Sequence, residues 1–270
     1  MIPAAGELAD VNWEEAREIR LRPGQPITAV MPDGIRRGIR PLAPQEIYRA
    51  AQALSGYGLA ARNKELSQGF LPLPGGHRLG VCGSMGEKGL REISSLCVRI
   101  AHEVKGIGEK IFPLLEGKNA LLLGPPGSGK TTLLRDLVRL YGERGWQVGV
   151  ADERGEVAGC RDGIPMLDVG PMADVVTGIE KAKAIPLLIR AMAPQVIAAD
   201  ELGNAEDAGA VMEAVRCGAV VLATAHGRNR AQLRKRPGME VLLEQGAFEK
   251  VVVLKGPGMP CEIEEECKCN

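Results

Sequence analysis

Aromatic side chains are scarce in this sequence: Phe, Trp and Tyr together make up 3% of 270 residues, so a core must be packed from Leu, Val, Ile and Ala. No stretch approaches the run of about 20 apolar residues that spans a bilayer. The longest apolar candidates are broken by Arg190 and by Thr224 with His226. The opening Met1-Ile2-Pro3-Ala4-Ala5-Gly6-Glu7 lacks the basic and apolar regions of a secretory signal, so membrane association is expected only through a partner or a surface patch. Net charge is missing as well, because 34 basic and 34 acidic side chains cancel. That removes the overall field that would draw the chain onto nucleic acid or an anionic surface. There is no repeat of fixed period and no low-complexity block, which excludes a solenoid. The seven cysteines follow no regular spacing. Cys82, Cys97, Cys160 and Cys217 each sit beside apolar or Gly-rich sequence, where a small buried thiol in a reducing cytoplasm is expected.

What is present is an ordinary globular balance, 45% hydrophobic and 25% charged, with 35 glycines. The length accommodates one domain of about 150 residues and a smaller companion. The pattern changes near Gly106 to Gly117, which divides the chain into 1–105 and 106–270. The first part reads as a small α+β domain. Residues 18–22 alternate polar and apolar side chains as a half-buried strand does, and Pro23-Gly24 ends them. Residues 44–54 place Ile47, Ala50, Ala51 and Leu54 on one helical face, and Gly75-Gly76 supplies a tight turn between two strands.

From Lys118 onward short apolar strands alternate with helices. Residues 120–123, 147–151, 196–199 and 219–223 read as strands, and helices are expected after Gly129, over 186–192 and over 205–217. Asn204, with Asp207 three residues on, reads as an N-cap. Strand and helix in this alternation imply an α/β domain with a mostly parallel sheet wound by right-handed crossovers.

The sequence Gly124-Pro125-Pro126-Gly127-Ser128-Gly129-Lys130-Thr131 matches G-x-x-x-x-G-K-[ST] in full. It lies between an apolar strand and an amphipathic helix, the context that the motif requires. Glycines let the backbone wrap a polyphosphate with its N–H groups turned inward. The pattern implies ATP bound by Gly124 through Thr131 and by Thr132. Lys130 would bridge the β- and γ-phosphates, and Thr131 would hold Mg²⁺.

A second strand, Gln195-Val196-Ile197-Ala198-Ala199, delivers Asp200 and Glu201 to the sheet edge where open α/β folds bind ligands. Asp200 is the expected metal partner, and Glu201 the group that orients or deprotonates the attacking water. A third strand ends in Thr224 and His226, placed to report on the γ-phosphate or on Glu201. A fourth ends in Asp152-Glu153-Arg154, where Glu153 is a further candidate for water activation and Arg154 for phosphate or a neighbouring subunit. An exposed charged turn is the plain alternative for that segment.

In these residues the chain resembles the secretion-type ATPases of type II and type IV systems and, within them, the stage III sporulation protein AA group. Arg190-Ala191-Met192-Ala193-Pro194-Gln195-Val196-Ile197 resembles the lead-in to the group's acidic Walker B pair, here Asp200-Glu201. Ala223-Thr224-Ala225-His226-Gly227 is similar to its histidine box, and Asp152-Glu153-Arg154-Gly155-Glu156 to its acidic box. Glu18-Ile19-Arg20-Leu21-Arg22 and Gly75-Gly76-His77-Arg78 resemble its N-terminal segments, so the likeness spans nearly the whole chain. The resemblance implies a RecA-like P-loop domain, a hexameric ring with nucleotide at subunit boundaries, and ATP with Mg²⁺ as cofactors. It further implies a cytoplasmic ATPase of the mother cell, at the base of a sporulation channel, working with membrane proteins and without nucleic acid. Met172 stands where the group is expected to carry Arg, and Arg228, Asn229 and Arg230 follow a looser pattern than in pilus motors.

Other readings remain open from sequence. A RecA-like nucleic-acid motor shares the loop and both carboxylates, with Arg234-Lys235-Arg236 as a compact basic run that is more simply a solvated face. A scaffold that binds nucleotide without turnover is a third reading. Arg154, Arg190 and Arg99 are candidates for a cation that a neighbouring subunit would bring to the γ-phosphate. The tail from Cys261 to Asn270 carries three thiols and four carboxylates and is expected to fray.

Overall fold

The computed structural model describes residues 5–8, 11–13, 15–56, 70–86, 89–101, 104–234, 238–256 and 259–268. Lys235 and Arg236 of the basic run, and Cys269 and Asn270 of the tail, lie outside the described residues. The chain divides into two compact units, Met1–His102 and Glu103–Asn270.

Among its described residues the first unit is an antiparallel sheet with one α-helix. Its elements are β1 (Glu18–Leu21), β2 (Thr28–Met31), β3 (Gly34–Arg37), α1 (Pro44–Leu54), β4 (Phe70–Pro72), β5 (Arg78–Gly86) and β6 (Gly89–Arg99). The strands lie in the order β3-β2-β1-β6-β5-β4. Alternation on β1 sends Ile19 and Leu21 into a core that also takes Ile47, Ala50 and Ala51 from α1, as the helical spacing predicts. Gly75 and Gly76 take left-handed φ values of 74° and 73° in the turn between β4 and β5.

The second unit contains α2 (Phe112–Leu115), β7 (Ala120–Gly124), α3 (Lys130–Glu143), β8 (Val148–Asp152), β9 (Ala173–Thr177), α4 (Lys181–Met192), β10 (Val196–Ala199), α5 (Ala205–Arg216), β11 (Val220–His226), α6 (Arg230–Leu233), α7 (Met239–Glu244), β12 (Lys250–Leu254) and β13 (Ile263–Lys268). The sheet order is β13-β12-β7-β11-β10-β8-β9. All of its pairings are parallel except β12 with β13.

The apolar strands are apolar throughout because both faces are covered. Leu121 and Leu123 of β7 join one core with residues of α4, α5 and α7, whereas Ala120 and Leu122 join another with α2 and α3. This double burial levels the strand ends. Ala151, Ala199 and Ala223 are in register, and His226 pairs with Gly124, so β7, β8, β10 and β11 deliver their polar residues to one edge.

Several expectations are corrected here. Helix α4 begins at Lys181, with Pro186 inside it rather than at its start. Burial of Lys181, Ala184, Ile185 and Leu188 along one face outweighs the ring's preference for a first turn. Strands β9 and β12 had no sequence assignment. The tail does not fray as expected: residues 263–268 form β13, whose ladder with β12 uses backbone groups and needs no apolar side chain at a sheet edge. Cys82 and Cys217 are exposed, and Cys97 and Cys160 only half-buried, against the expectation of buried thiols.

Candidate active site: a phosphate cradle at the sheet edge

The loop from β7 to α3 owes its shape to glycine. Gly127 and Gly129 have φ values of 75° and 86°, which only glycine takes without cost. Gly129 is the N-cap of α3 and offers no side-chain cap, which suits a helix end that receives an anion. Gly124 also lacks room for a side chain, since a β-carbon there would lie 2.5 Å from Ser128 Oγ. That hydroxyl is buried and has no hydrogen-bond partner among the described residues.

Lys130 is buried, and its ammonium folds back to donate to the carbonyl oxygens of Gly124 (3.0 Å) and Pro125 (2.9 Å). Desolvation lowers its pKa, and the carboxylates of Asp200, Glu201 and Glu156 oppose that shift. The neighbouring Thr131 Oγ1 donates to Asp200 Oδ2 (2.8 Å). The other oxygen, Asp200 Oδ1, accepts from Thr224 Oγ1 (2.5 Å), which in turn accepts from the Glu201 N–H (2.8 Å). Burial raises the Asp200 pKa; its two hydroxyl donors pull it back, and the nearby carboxylates of Asp152 and Glu201 add to the rise. A carboxylate crowded in this way, beside a threonine hydroxyl, suits a divalent cation.

Glu201 stands at φ 56°, an uncommon backbone for a residue with a side chain. Both of its carboxylate oxygens are engaged: Oε2 with Arg154 (2.6 Å) and Oε1 with His226 Nε2 (3.1 Å). The other ring nitrogen of His226 is buried and without a partner among the described residues. Glu153 pairs with Lys181 (2.5 Å), which also lies 3.9 Å from Asp207. Asp152, Glu153, Arg154, Lys181, Asp200 and Glu201 together line a small polar cavity.

The structure thus brings Gly124 to Thr132, Asp152, Glu153, Arg154, Asp200, Glu201, Thr224 and His226 to one edge. Arg99 and Arg190 each have a partner within their own unit. Arg99 pairs with Glu18 (3.7 Å) in the first unit, and Arg190 donates to Pro186 O (3.2 Å) in its own helix.

Three roles were missed in the sequence. Asp152 accepts from the backbone N–H groups of Glu156 (2.8 Å), Val157 (3.1 Å) and Ala158 (2.9 Å), and so folds the loop that carries Glu153 and Arg154. Arg135 of α3 donates to the carbonyls of Val157 (2.5 Å) and Glu156 (2.7 Å), tying that loop to the P-loop helix. Lys181 neutralises Glu153. Its one legible signal was a charge on a face shared with Ala184, Ile185 and Leu188. Asp152→Ala should lower unfolding free energy by about 2–4 kcal/mol, because two buried amides and one half-buried amide lose a charged acceptor. Urea denaturation checks this, and an unchanged midpoint would contradict the role.

Fold and site together define an α/β protein of the P-loop class. Among solved structures the chain is similar to the pilus retraction motor PilT with bound ADP, at TM-score 0.65 and 16% identity, covering 91% of this chain and 76% of that one. It is also similar to the ATPase DotB of Legionella pneumophila, at TM-score 0.61 and 18% identity, covering 92% and 74%. At these identities the likeness establishes the fold, the RecA-like P-loop architecture. Residues 6–267 match the family described as Sporulation stage III, protein AA, and the chain belongs to that family. The Stage III sporulation protein AA of Bacillus subtilis (strain 168) is 37% identical over 282 residues, covering 96% of this chain and 90% of that protein. Among the described residues no helix is long and apolar enough to cross a membrane.

Proposed function

We propose that the chain binds ATP with Mg²⁺ and hydrolyses the β-γ phosphoanhydride, as a subunit of a hexameric ring that energises or assembles a trans-envelope channel during sporulation. The observation that carries this reading is the Thr131–Asp200 hydrogen bond, which joins the P-loop to the acidic strand end. Residues 1–105 and 106–270 are taken as the N-terminal and ATPase domains. The reading places the protein in the mother-cell cytoplasm, held at the membrane by partner proteins.

The backbone of Gly124, Pro125, Pro126, Gly127, Ser128 and Gly129, with Thr131 and Thr132, would hold the polyphosphate. Thr131 and Asp200 would hold the divalent cation, which when bound supplies charge neutralisation at the phosphate oxygens. Lys130 leaves the carbonyls of Gly124 and Pro125 for the β- and γ-phosphate oxygens. Glu201 accepts the proton of the attacking water as its oxygen bonds to the γ-phosphorus and the bridging oxygen departs with ADP. His226 orients Glu201, and Glu153 is the second carboxylate near the water. A nucleotide-gated scaffold without turnover is the second reading, favoured by one observation: Arg154 and His226 occupy both Glu201 oxygens.

The test combines calorimetry with ADP and Mg²⁺, phosphate release from ATP, and solution mass with a non-hydrolysable analogue. Heat of binding, steady turnover and a nucleotide-dependent rise in mass are expected. Absence of binding heat sinks the reading, and binding with assembly but no phosphate release would favour the scaffold. A salt-dependent rise in turnover on adding DNA or RNA would point to a nucleic-acid motor instead.

A further inference from the structure

The turn between β12 and β13 meets the phosphate cradle from outside. Cys261 donates its backbone N–H to the Ser128 carbonyl (2.7 Å), and its Sγ lies 3.6 Å from the Gly129 carbonyl oxygen. The fit leaves no room for a side chain on Gly129: a β-carbon there would lie 2.9 Å from the Cys261 nitrogen and would collide with its sulfur. Across the turn, Lys255 donates its N–H to Glu262 O (2.8 Å) and its ammonium to the Glu262 carboxylate (2.9 Å). Cys261 holds a left-handed φ of 64°, which a residue with a side chain keeps only where its surroundings fix it. At the other end of the cradle, a β-carbon on Gly124 would lie 3.3 Å from Leu254 Cβ of β12.

Ser128 C=O and Gly129 N–H belong to one peptide unit, which is planar and trans. A carbonyl drawn outward to Cys261 therefore turns the Gly129 N–H the opposite way, toward the concave side where phosphate oxygens would lie. We infer that the C-terminal hairpin is a positioning element of the nucleotide site, acting through the Cys261 N–H on the Ser128-Gly129 peptide. This inference rests on the reading of the loop as a nucleotide site. A device that aims one amide of the cradle must be steadied in return when a phosphate takes that amide, because coupling between two sites is reciprocal.

Hydrogen exchange of the full chain, with and without ADP and Mg²⁺, tests this directly. Slower exchange is expected over residues 124–132 and also over 259–268, by about 5-fold or more in each. Slowing of 124–132 alone would overturn the inference and leave the nucleotide reading intact, whereas no slowing anywhere would remove both. Two variants supply a second readout. Cys261→Gly keeps the N–H and tolerates the left-handed backbone, so its ADP Kd should stay within about 3-fold of the parent. Cys261→Pro deletes the donor and is locked near φ −65°, so its Kd and its KM for ATP should rise about 10-fold while kcat at saturation changes less. An unchanged Kd in Cys261→Pro refutes the inference. If that variant fails to fold, the exchange experiment decides.

Discussion

Glu201→Gln is expected to bind ATP and Mg²⁺ as the parent does while its steady-state phosphate release falls by about 10²–10⁴-fold, the usual contribution of a general base. The amide fills the same space but cannot accept the proton of water. Binding should survive because the cradle, Lys130, Thr131 and Asp200 make no hydrogen bond to the Glu201 side chain. Stability should survive as well. The Arg154 partner of Glu201 is more than half exposed, and a solvent-screened pair of this kind is worth about 0–1 kcal/mol. Calorimetry together with single-turnover phosphate release checks both halves, and a parental rate would remove Glu201 from the chemistry.

Lys130→Met is expected to act on the other half of the reaction. Each hydrogen bond to a charged group contributes about 1.5–3 kcal/mol. Losing the ammonium should therefore weaken ATP binding by about 10²-fold and lower kcat/KM further. The variant should nevertheless unfold near the parent's denaturant midpoint, because relief of the buried charge offsets the two hydrogen bonds lost to the Gly124 and Pro125 carbonyls. Desolvation disfavours the buried ammonium and lowers its pKa, and methionine keeps the packed stem without the charge. Equilibrium binding and urea unfolding together separate a lost ligand contact from a lost fold. Parental affinity would show that Lys130 does not reach the phosphates.

The parts of this site that were legible in the sequence are those encoded as local strings. Gly124 to Thr131 names its own turn and helix start, and the apolar strand before Asp200 fixes which edge the carboxylates reach. The pairing partners were not legible. Arg154 meets Glu201 across 47 residues, Lys181 meets Glu153 across 28, and no periodicity within one element reports a contact set by the order of strands. Asp152 read as one charge in an exposed turn because its acceptor role depends on how the next six residues fold back. The C-terminal hairpin was missed for a different reason: its acidic residues disfavour a buried strand, but β13 lies at the edge of the sheet and is held by backbone ladder bonds. Pro186 misled because a helix can carry a proline where the packed face on either side outweighs one missing donor.

The brace made by Arg135 and Asp152 has a kinetic consequence. With Glu156, Val157 and Ala158 pinned from two sides, the loop bearing Glu153 and Arg154 cannot rise from the helix below it without surrendering five hydrogen bonds at once. Freedom at that rim belongs to the tips of long side chains, which turn over in picoseconds to nanoseconds, far faster than a hinged flap. What moves first along this braced loop is therefore the reach of Glu153 and Arg154, while the backbone that carries them stays put.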